Sequence, residues 1–307
     1  MFACRYDPTM SSGTAASLPE GLTARDEGRH RAADDMAANW EESWHFDFIS
    51  SDGEVGASLR LGRQPDRGLA PVWGCLVRAG HPLVHLVDHD VPLVRETDSI
   101  GARGEGIWVD AVCETPFDHW SVGLEAFAVA LDDPEEASGR GRGDRIGLGF
   151  DLEWETDSEI RTFELSGAKG YQMMCRVHGE VLIGSETLAI DGWGGRQHVW
   201  GLPPWSGQAW CWGGGVLDDG TTWQLSPDGT ARLGERTALI ADLSLMPQSL
   251  RMGDTELDLA PHHRAPVLLP SSRPMASVLL ERRLVVVTVA DRSGGTAWLE
   301  WSEPPSS

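Results

Sequence analysis

From Trp40 onward the apolar residues come in short runs separated by Gly, Asp and Pro. Runs of that length between turn residues predict strands. They fall at 44–50, 55–61, 72–78, 83–87, 106–114, 121–131 and 146–155, and then at 171–178, 180–183, 187–191, 208–217, 222–225, 238–245, 278–290 and 296–301. Turn signals punctuate them: SDG at 51–53, DDG at 218–220, PDG at 227–229 and SGG at 293–295. No long amphipathic helix is visible. The pattern predicts an all-β chain with more strands than one small barrel uses, hence two β-barrels or sandwiches. Strand character fades at 156–170, which places the seam there and divides the chain into 39–160 and 161–307. Residues 1–38, rich in Ala, Gly, Ser and charge, read as a flexible N-terminal arm with a short helix near 25–38.

The 307 residues and 41% hydrophobic content suffice for one large core or two moderate ones. A formal charge of −22 without a basic stripe excludes nucleic acid and anionic membranes as expected partners, and reads as solubility. Five scattered cysteines (Cys4, Cys75, Cys113, Cys175 and Cys211) with no CxxC fit reduced thiols. The N-terminus lacks the apolar core of a signal peptide, and no run approaches the ~20 apolar residues of a membrane span. A cytoplasmic protein with no integral membrane segment is therefore expected.

Tryptophan changes the picture. The chain has 14 Trp against 2 Tyr. Trp193, Trp200, Trp205, Trp210 and Trp212 crowd one stretch, DGWGGRQHVWGLPPWSGQAWCW. Indoles form rigid apolar walls and good faces for cations. Alternation along 208–218 puts Trp210, Trp212, Gly214, Val216 and Asp218 on one face. The other face is apolar too, so this strand is buried on both sides. Its three glycines either leave room for a ligand or mark a bulge or barrel corner.

Arg196, His198 and Trp200 share a face if their segment is extended. His198 is then an acid or base facing a pocket, or a buried ring tied to a carboxylate or carbonyl. Arg196 reads as a clamp on a buried carboxylate. Asp218 is a carboxylate on the Trp face or an ordinary turn residue. Glu125 shares a face with Phe127, Val129 and Leu131, so it needs a partner, Arg196 for one, or a raised pKa. His81, His85 and His89 resemble metal ligands, but on a strand they spread over ~26 Å and do not form a site. Nucleophile-elbow, Walker and HExxH motifs are absent.

Several segments carry a family resemblance: GLEAFAVALDDP at 123–134, GFDLEWE at 149–155, VHGEV at 177–181, DGWGGRQHVWG at 191–201 and WLEW at 298–301. They resemble the carotenoid 1,2-hydratase (hydroxyneurosporene synthase)-like and AttH-like proteins, in an actinobacterial branch of unknown activity. Related proteins include decalin-forming Diels–Alderases and, more distantly, tocopherol cyclase. The resemblance implies two lipocalin-like (calycin) β-domains. It also implies an H-x-W-G active-site element at His198, Trp200 and Gly201, with a downstream Asp that matches Asp218. The motif's usual RDHSWG, followed by an RDW-like stretch, reads RQHVWG and LPPW here. Gln197, Val199, Pro203 and Pro204 therefore stand where relatives carry Asp, Ser, Arg and Asp.

Losing polarity beside the motif suits an enzyme that excludes water. The expected function is a cofactor-independent cyclase acting on an apolar isoprenoid or polyene, with no metal. The candidate acids are His198, Asp218 and Glu125. The candidate substrate-binding residues are Trp193, Arg196, Trp200, Trp205, Trp210 and Trp212. A non-catalytic isoprenoid carrier and a hydratase are the alternatives.

Overall fold

Strand β1 (Glu41–Ser50) lays out the architecture. Glu42, Trp44, Phe46 and Phe48 point to one side, and Ser43, His45, Asp47 and Ile49 to the other. All eight are buried. A strand covered on both faces lies between two layers.

The structure is a computed structural model that describes residues 18–32, 40–94, 100–139, 141–165, 167–202, 209–240, 242–270, 277–289 and 292–302. The strand β1 belongs to an eleven-stranded antiparallel sheet. On one side it pairs in turn with β2 (Val55–Arg63), β3 (Val72–Arg78) and β4 (Leu83–Asp88). On the other side lie β11 (Glu186–Gly201), β10 (Ala168–Ile183), β8 (Asp144–Thr156) and β7 (His119–Leu131). A pairing of β4 with β7, from Leu83 against Leu131, closes these eight strands into a barrel. The pair β5 (Ile100–Gly104) and β6 (Ile107–Thr115) extends β7, and β9 (Arg161–Leu165) lies against β10. Trp44, Phe46, Trp120 and Trp154 fill the barrel with Leu59, Val122 and Leu152. Phe46 meets the two indoles at ring distances of 5.7 and 5.3 Å.

A nine-stranded antiparallel sheet follows. Its middle strands are β12 (Trp210–Leu217), β20 (Arg292–Ser302) and β19 (Val278–Val289). To one side lie β13 (Thr222–Leu225), β14 (Thr230–Leu233) and β15 (Arg236–Leu239); to the other lie β16 (Ser249–Met252), β17 (Thr255–Arg264) and β18 (Val267–Leu269). Cys211, Leu217, Trp223, Leu257, Val285 and Leu299 form its own core. The opposite face presents Trp210, Trp212, Trp298 and Glu300 to the outside of the barrel, which is why β1 is buried twice.

The two-domain all-β expectation thus describes this fold. The dividing point does not: the barrel continues through Gly201, and the expected seam at 156–170 is only the turn region around β9. Strand signal fades there because the chain turns twice, not because a domain ends. Crossing to the second sheet takes place between Gly201 and Trp210. The described part of the expected arm is also not loose. Ala24–Glu27 form a 3₁₀ turn that docks on the barrel, with Glu27 only 2% exposed. The expected helix does not continue: residues 28–32 are irregular, and 1–17 and 33–38 lie outside the described residues. Cys75, Cys113, Cys175 and Cys211 are free thiols. Among the described residues no helix is long and apolar enough to cross a membrane.

Candidate active site

The barrel and the second sheet enclose a cleft of about 430 Å³. Trp193 and Gly194 of β11, Asp47, Ile49 and Ser50 of β1, Gly214 and Gly215 of β12, and Asp218 all line it. Asp47 is the buried acid of this cleft, 4% exposed. Its position follows from the glycines opposite. A Cβ on Gly194 would sit 1.8 Å from the Asp47 carbonyl oxygen, so only glycine lets the two strands approach this closely. The neighbouring Gly195 N–H donates to Asp47 Oδ1 at 2.6 Å. Asp47 Oδ2 faces His45 Nε2 at 3.4 Å.

Burial outweighs that hydrogen bond and pushes the Asp47 carboxyl up to about 7; the nearby Glu300 carboxylate adds to the rise. Burial likewise holds the His45 ring well below its ordinary value, helped by the Arg60 and Arg282 guanidinium groups. His45 is therefore neutral at neutral pH, and Asp47 holds its proton on the acid side of about 7, where it is an acid with a proton to give.

Behind Asp47 lies a second, small space of about 10 Å³, the size of one water molecule. His45, Ser58, Trp212, Arg282 and Glu300 line it along with Asp47. His45 Nδ1, Arg282 Nη2 and Glu300 Oε2 lie around it without a hydrogen-bond partner in the protein. Buried polar atoms of this kind are costly unless something meets them. Arg60 joins the layers here: its Nη2 donates to Glu300 Oε1 at 2.7 Å across the junction, and its Nη1 to Ser43 Oγ at 3.1 Å. Arg282 Nη1 donates to Ser58 Oγ at 2.7 Å.

A second cluster sits inside the barrel, on the other face of β11. Strand pairing sets Trp44 beside His198 and Phe46 beside Arg196. Arg196 Nη1 and Nη2 donate to the two oxygens of Glu27 at 2.7 and 2.8 Å. Trp120 Nε1 and the Phe117 backbone N–H donate to the same carboxylate. His198 is fully buried; its Nδ1 lies 2.9 Å from the Asp26 carbonyl oxygen and its Nε2 3.1 Å from Glu42 Oε1. His30 stacks on Trp200 at 3.9 Å and places its Nδ1 2.9 Å from the same Glu42 oxygen.

A family model described as a domain of unknown function, DUF7064, matches residues 23–238. The chain belongs to this family. The DUF7064 match begins at Thr23, the cap of the docked 3₁₀ turn, and takes in the whole barrel and the start of the second sheet. Among solved structures, the chain is similar to a putative AttH from Nitrosomonas europaea, with TM-score 0.53 and 14% identity over 97% of this chain and 100% of that one. Kievitone hydratase from Nectria haematococca gives 0.52 and 10% over 86% and 89%. CghA, crystallised with Sch210972, gives 0.51 and 11% over 87% and 89%. At these identities the likeness is one of fold. No curated protein matches the chain.

Within this DUF7064 fold the residues singled out in the sequence separate into distinct places. Trp193 and Asp218 line the cleft, Asp218 at an exposed position. Trp212 lines the inner cavity, and Trp210 packs with Trp73, Leu165 and Leu280 at the junction. Arg196, His198 and Trp200 share a face as expected, but it is the barrel interior and not the cleft. The expected clamp is present, with Glu27 as the partner of Arg196 and not Glu125. Glu125 is exposed, and Phe127 beside it is 65% exposed. At these two positions the face of β7 is solvated, and Glu125 lines neither the cleft nor the inner cavity. Trp205 lies outside the described residues.

Sequence reasoning missed Asp47, Glu42, Glu27 and His30. Two of them left a signal: Glu42 alternates with Trp44, Phe46 and Phe48, and Asp47 stands between two phenylalanines. Either is a carboxylate in a strand too apolar to solvate it.

Proposed function

We propose that this chain is a non-redox enzyme that protonates an unsaturated small molecule held in the junction cleft, and that it adds water to it. The observation that carries this reading is Asp47, a buried acid that holds its proton up to about pH 7 and borders both the cleft and a water-sized cavity ringed by unpartnered polar atoms. Asp47 gives its proton to an alkene carbon. The carbocation so formed takes the oxygen of a water seated against His45, Arg282 and Glu300. That water's proton returns to the Asp47 carboxylate, so one water is added across the double bond and the acid is restored. Trp193 faces the cleft and offers its indole to the positive charge.

The cleft is of the size that takes drug-like ligands. Its lining mixes Trp193 and Ile49 with Ser50, Asp52, Asp218 and Thr296, which is more polar than the sequence suggested. This polarity favours hydration over a cyclisation that must keep water out. A polyene or isoprenoid substrate, and kinship with the carotenoid hydratases, rest on the sequence resemblance.

The test is incubation of the protein with a panel of isoprenoids and polyenes, read by product mass. Hydration adds one water to the substrate, and Asp47→Asn abolishes it with the fold intact. Because the acid must be protonated, kcat/KM falls as pH rises through about 7. An isomeric product of unchanged mass assigns the same acid to cyclisation. Full turnover by Asp47→Asn, or ligand binding without turnover in the wild type, defeats the proposal, the latter in favour of a carrier.

A further inference from the structure

We propose that His30, Glu42 and His198 bind one divalent transition-metal ion, Zn²⁺ by their donor set, which fastens the 3₁₀ turn and its following residues to the barrel. The site is separate from the junction cleft, on the opposite face of β11 and β1. Nδ1 of His30, Nε2 of His198 and a Glu42 oxygen lie within 4.8 Å of one another. Two imidazoles and one carboxylate, with solvent as the fourth ligand, are a recurrent zinc donor set. His30 is the partly exposed member and leaves a path for an ion to enter.

What surrounds the three donors argues for a metal more strongly than their proximity does. A metal-binding histidine characteristically hands its other ring N–H to a carboxylate or a backbone carbonyl. Both rings do so here. His30 Nε2 lies 3.1 Å from Asp26 Oδ1, and His198 Nδ1 lies 2.9 Å from the Asp26 carbonyl oxygen. Glu42 is held as well, with Arg63 Nη1 donating to its second oxygen at 3.4 Å. One residue, Asp26, therefore orients both rings.

The proton count points the same way. A carbonyl oxygen can only accept, so His198 Nδ1 carries the proton. In a neutral ring, Nε2 then turns its lone pair towards Glu42 Oε1, 3.1 Å away. A metal ion between that lone pair and the carboxylate is bound by both. Zinc bonds of about 2.1 Å put tetrahedral donors roughly 3.4 Å apart, so the two rings, 2.9 and 3.1 Å from the Glu42 oxygen, move out by a few tenths of an ångström, and any donor separation nearer the 4.8 Å bound has to close. His30 lies on a short docked segment that can make that shift.

The experiment uses the full chain, stripped with a chelator and titrated with ZnCl₂ in a calorimeter. Thermal melts follow with and without zinc, and Mg²⁺ serves as the control. Expected are one equivalent of Zn²⁺ per chain, a raised Tm and no response to Mg²⁺, whose preference is for oxygen ligands. His30→Ala and Glu42→Gln should each weaken zinc binding by at least about tenfold and remove the Tm rise. Asp26→Asn, which touches no metal, should weaken it by about tenfold. Its metal-free melting curve shows separately that it folds. Cobalt added in place of zinc should give visible bands in the wild type that His30→Ala loses. The proposal fails if the wild type takes up no stoichiometric zinc or binds Mg²⁺ as well. It also fails if the variants bind like the wild type, which would place the ion elsewhere, for example at His262 and His263.

Discussion

Asp47 owes its chemistry to where one strand face happens to be covered. On an open sheet it would be an ordinary surface carboxylate; beneath the second sheet its neutral form is favoured. That preference has a stability consequence of known sign. The folded pKa of about 7 lies above the ordinary value of 3.8, so the folded state holds the proton that the unfolded chain releases. The resulting stability is complete at low pH and is lost as pH rises through about 7, at about 1.4 kcal/mol per pH unit between the two values. Buried histidines such as His45, with lowered pKa values, act in the opposite direction below their ordinary value. Comparison with Asp47→Asn separates the two contributions. Urea denaturation at pH 5 and pH 8 should show the wild type losing a few kcal/mol relative to this variant at the higher pH. A constant difference across that range would mean that Asp47 is ionised in the folded state.

At the scale of elements, β11 is the piece that serves both sites. Trp193, Gly195 and Gln197 face the junction, while Arg196, His198 and Trp200 face the barrel interior. That division was legible in the sequence, since alternation alone grouped Arg196, His198 and Trp200. Which face meets which layer was not legible, because it depends on β1 pairing with a strand far along the chain. The turn at Ala24–Glu27 was illegible for another reason: four residues carry no periodicity, and its hold on the barrel is a few polar contacts from distant strands, the Arg196 guanidinium on the Glu27 carboxylate chief among them. Replacing Arg196 by Met leaves Glu27 with two N–H donors but no counter-charge. Breaking a buried ion pair costs about 3–5 kcal/mol, limited here by what it takes to release the segment into water. Hydrogen exchange should therefore show residues 24–30 losing protection in Arg196→Met while the barrel amides keep theirs. Equal protection in both proteins would show that apolar contacts hold the segment.

For the whole molecule, the two layers are joined by charges as well as indoles. Glu300 accepts from Arg60 and from Trp212 Nε1, and lies 4.0 Å from Arg282. Glu300→Ala leaves both guanidinium groups without their shared counter-ion and should cost about 3–5 kcal/mol in urea denaturation. The double change Arg60→Met with Glu300→Leu should cost less than either single change, because no stranded charge remains. Strictly additive losses would mean that the pair contributes little beyond packing. Finally, each layer is sealed by strands from its two ends: Glu41 pairs with Gly201, and Trp210 with Ser302. Such pairings lie far apart along the chain and make folding slow. As the chain leaves the ribosome, the barrel can close once Gly201 has emerged, but the second layer must wait for the last strand. Until then the outer face of β1, with Asp47 and Ile49, stays wet, so the reactive cleft is the last part of the molecule to exist.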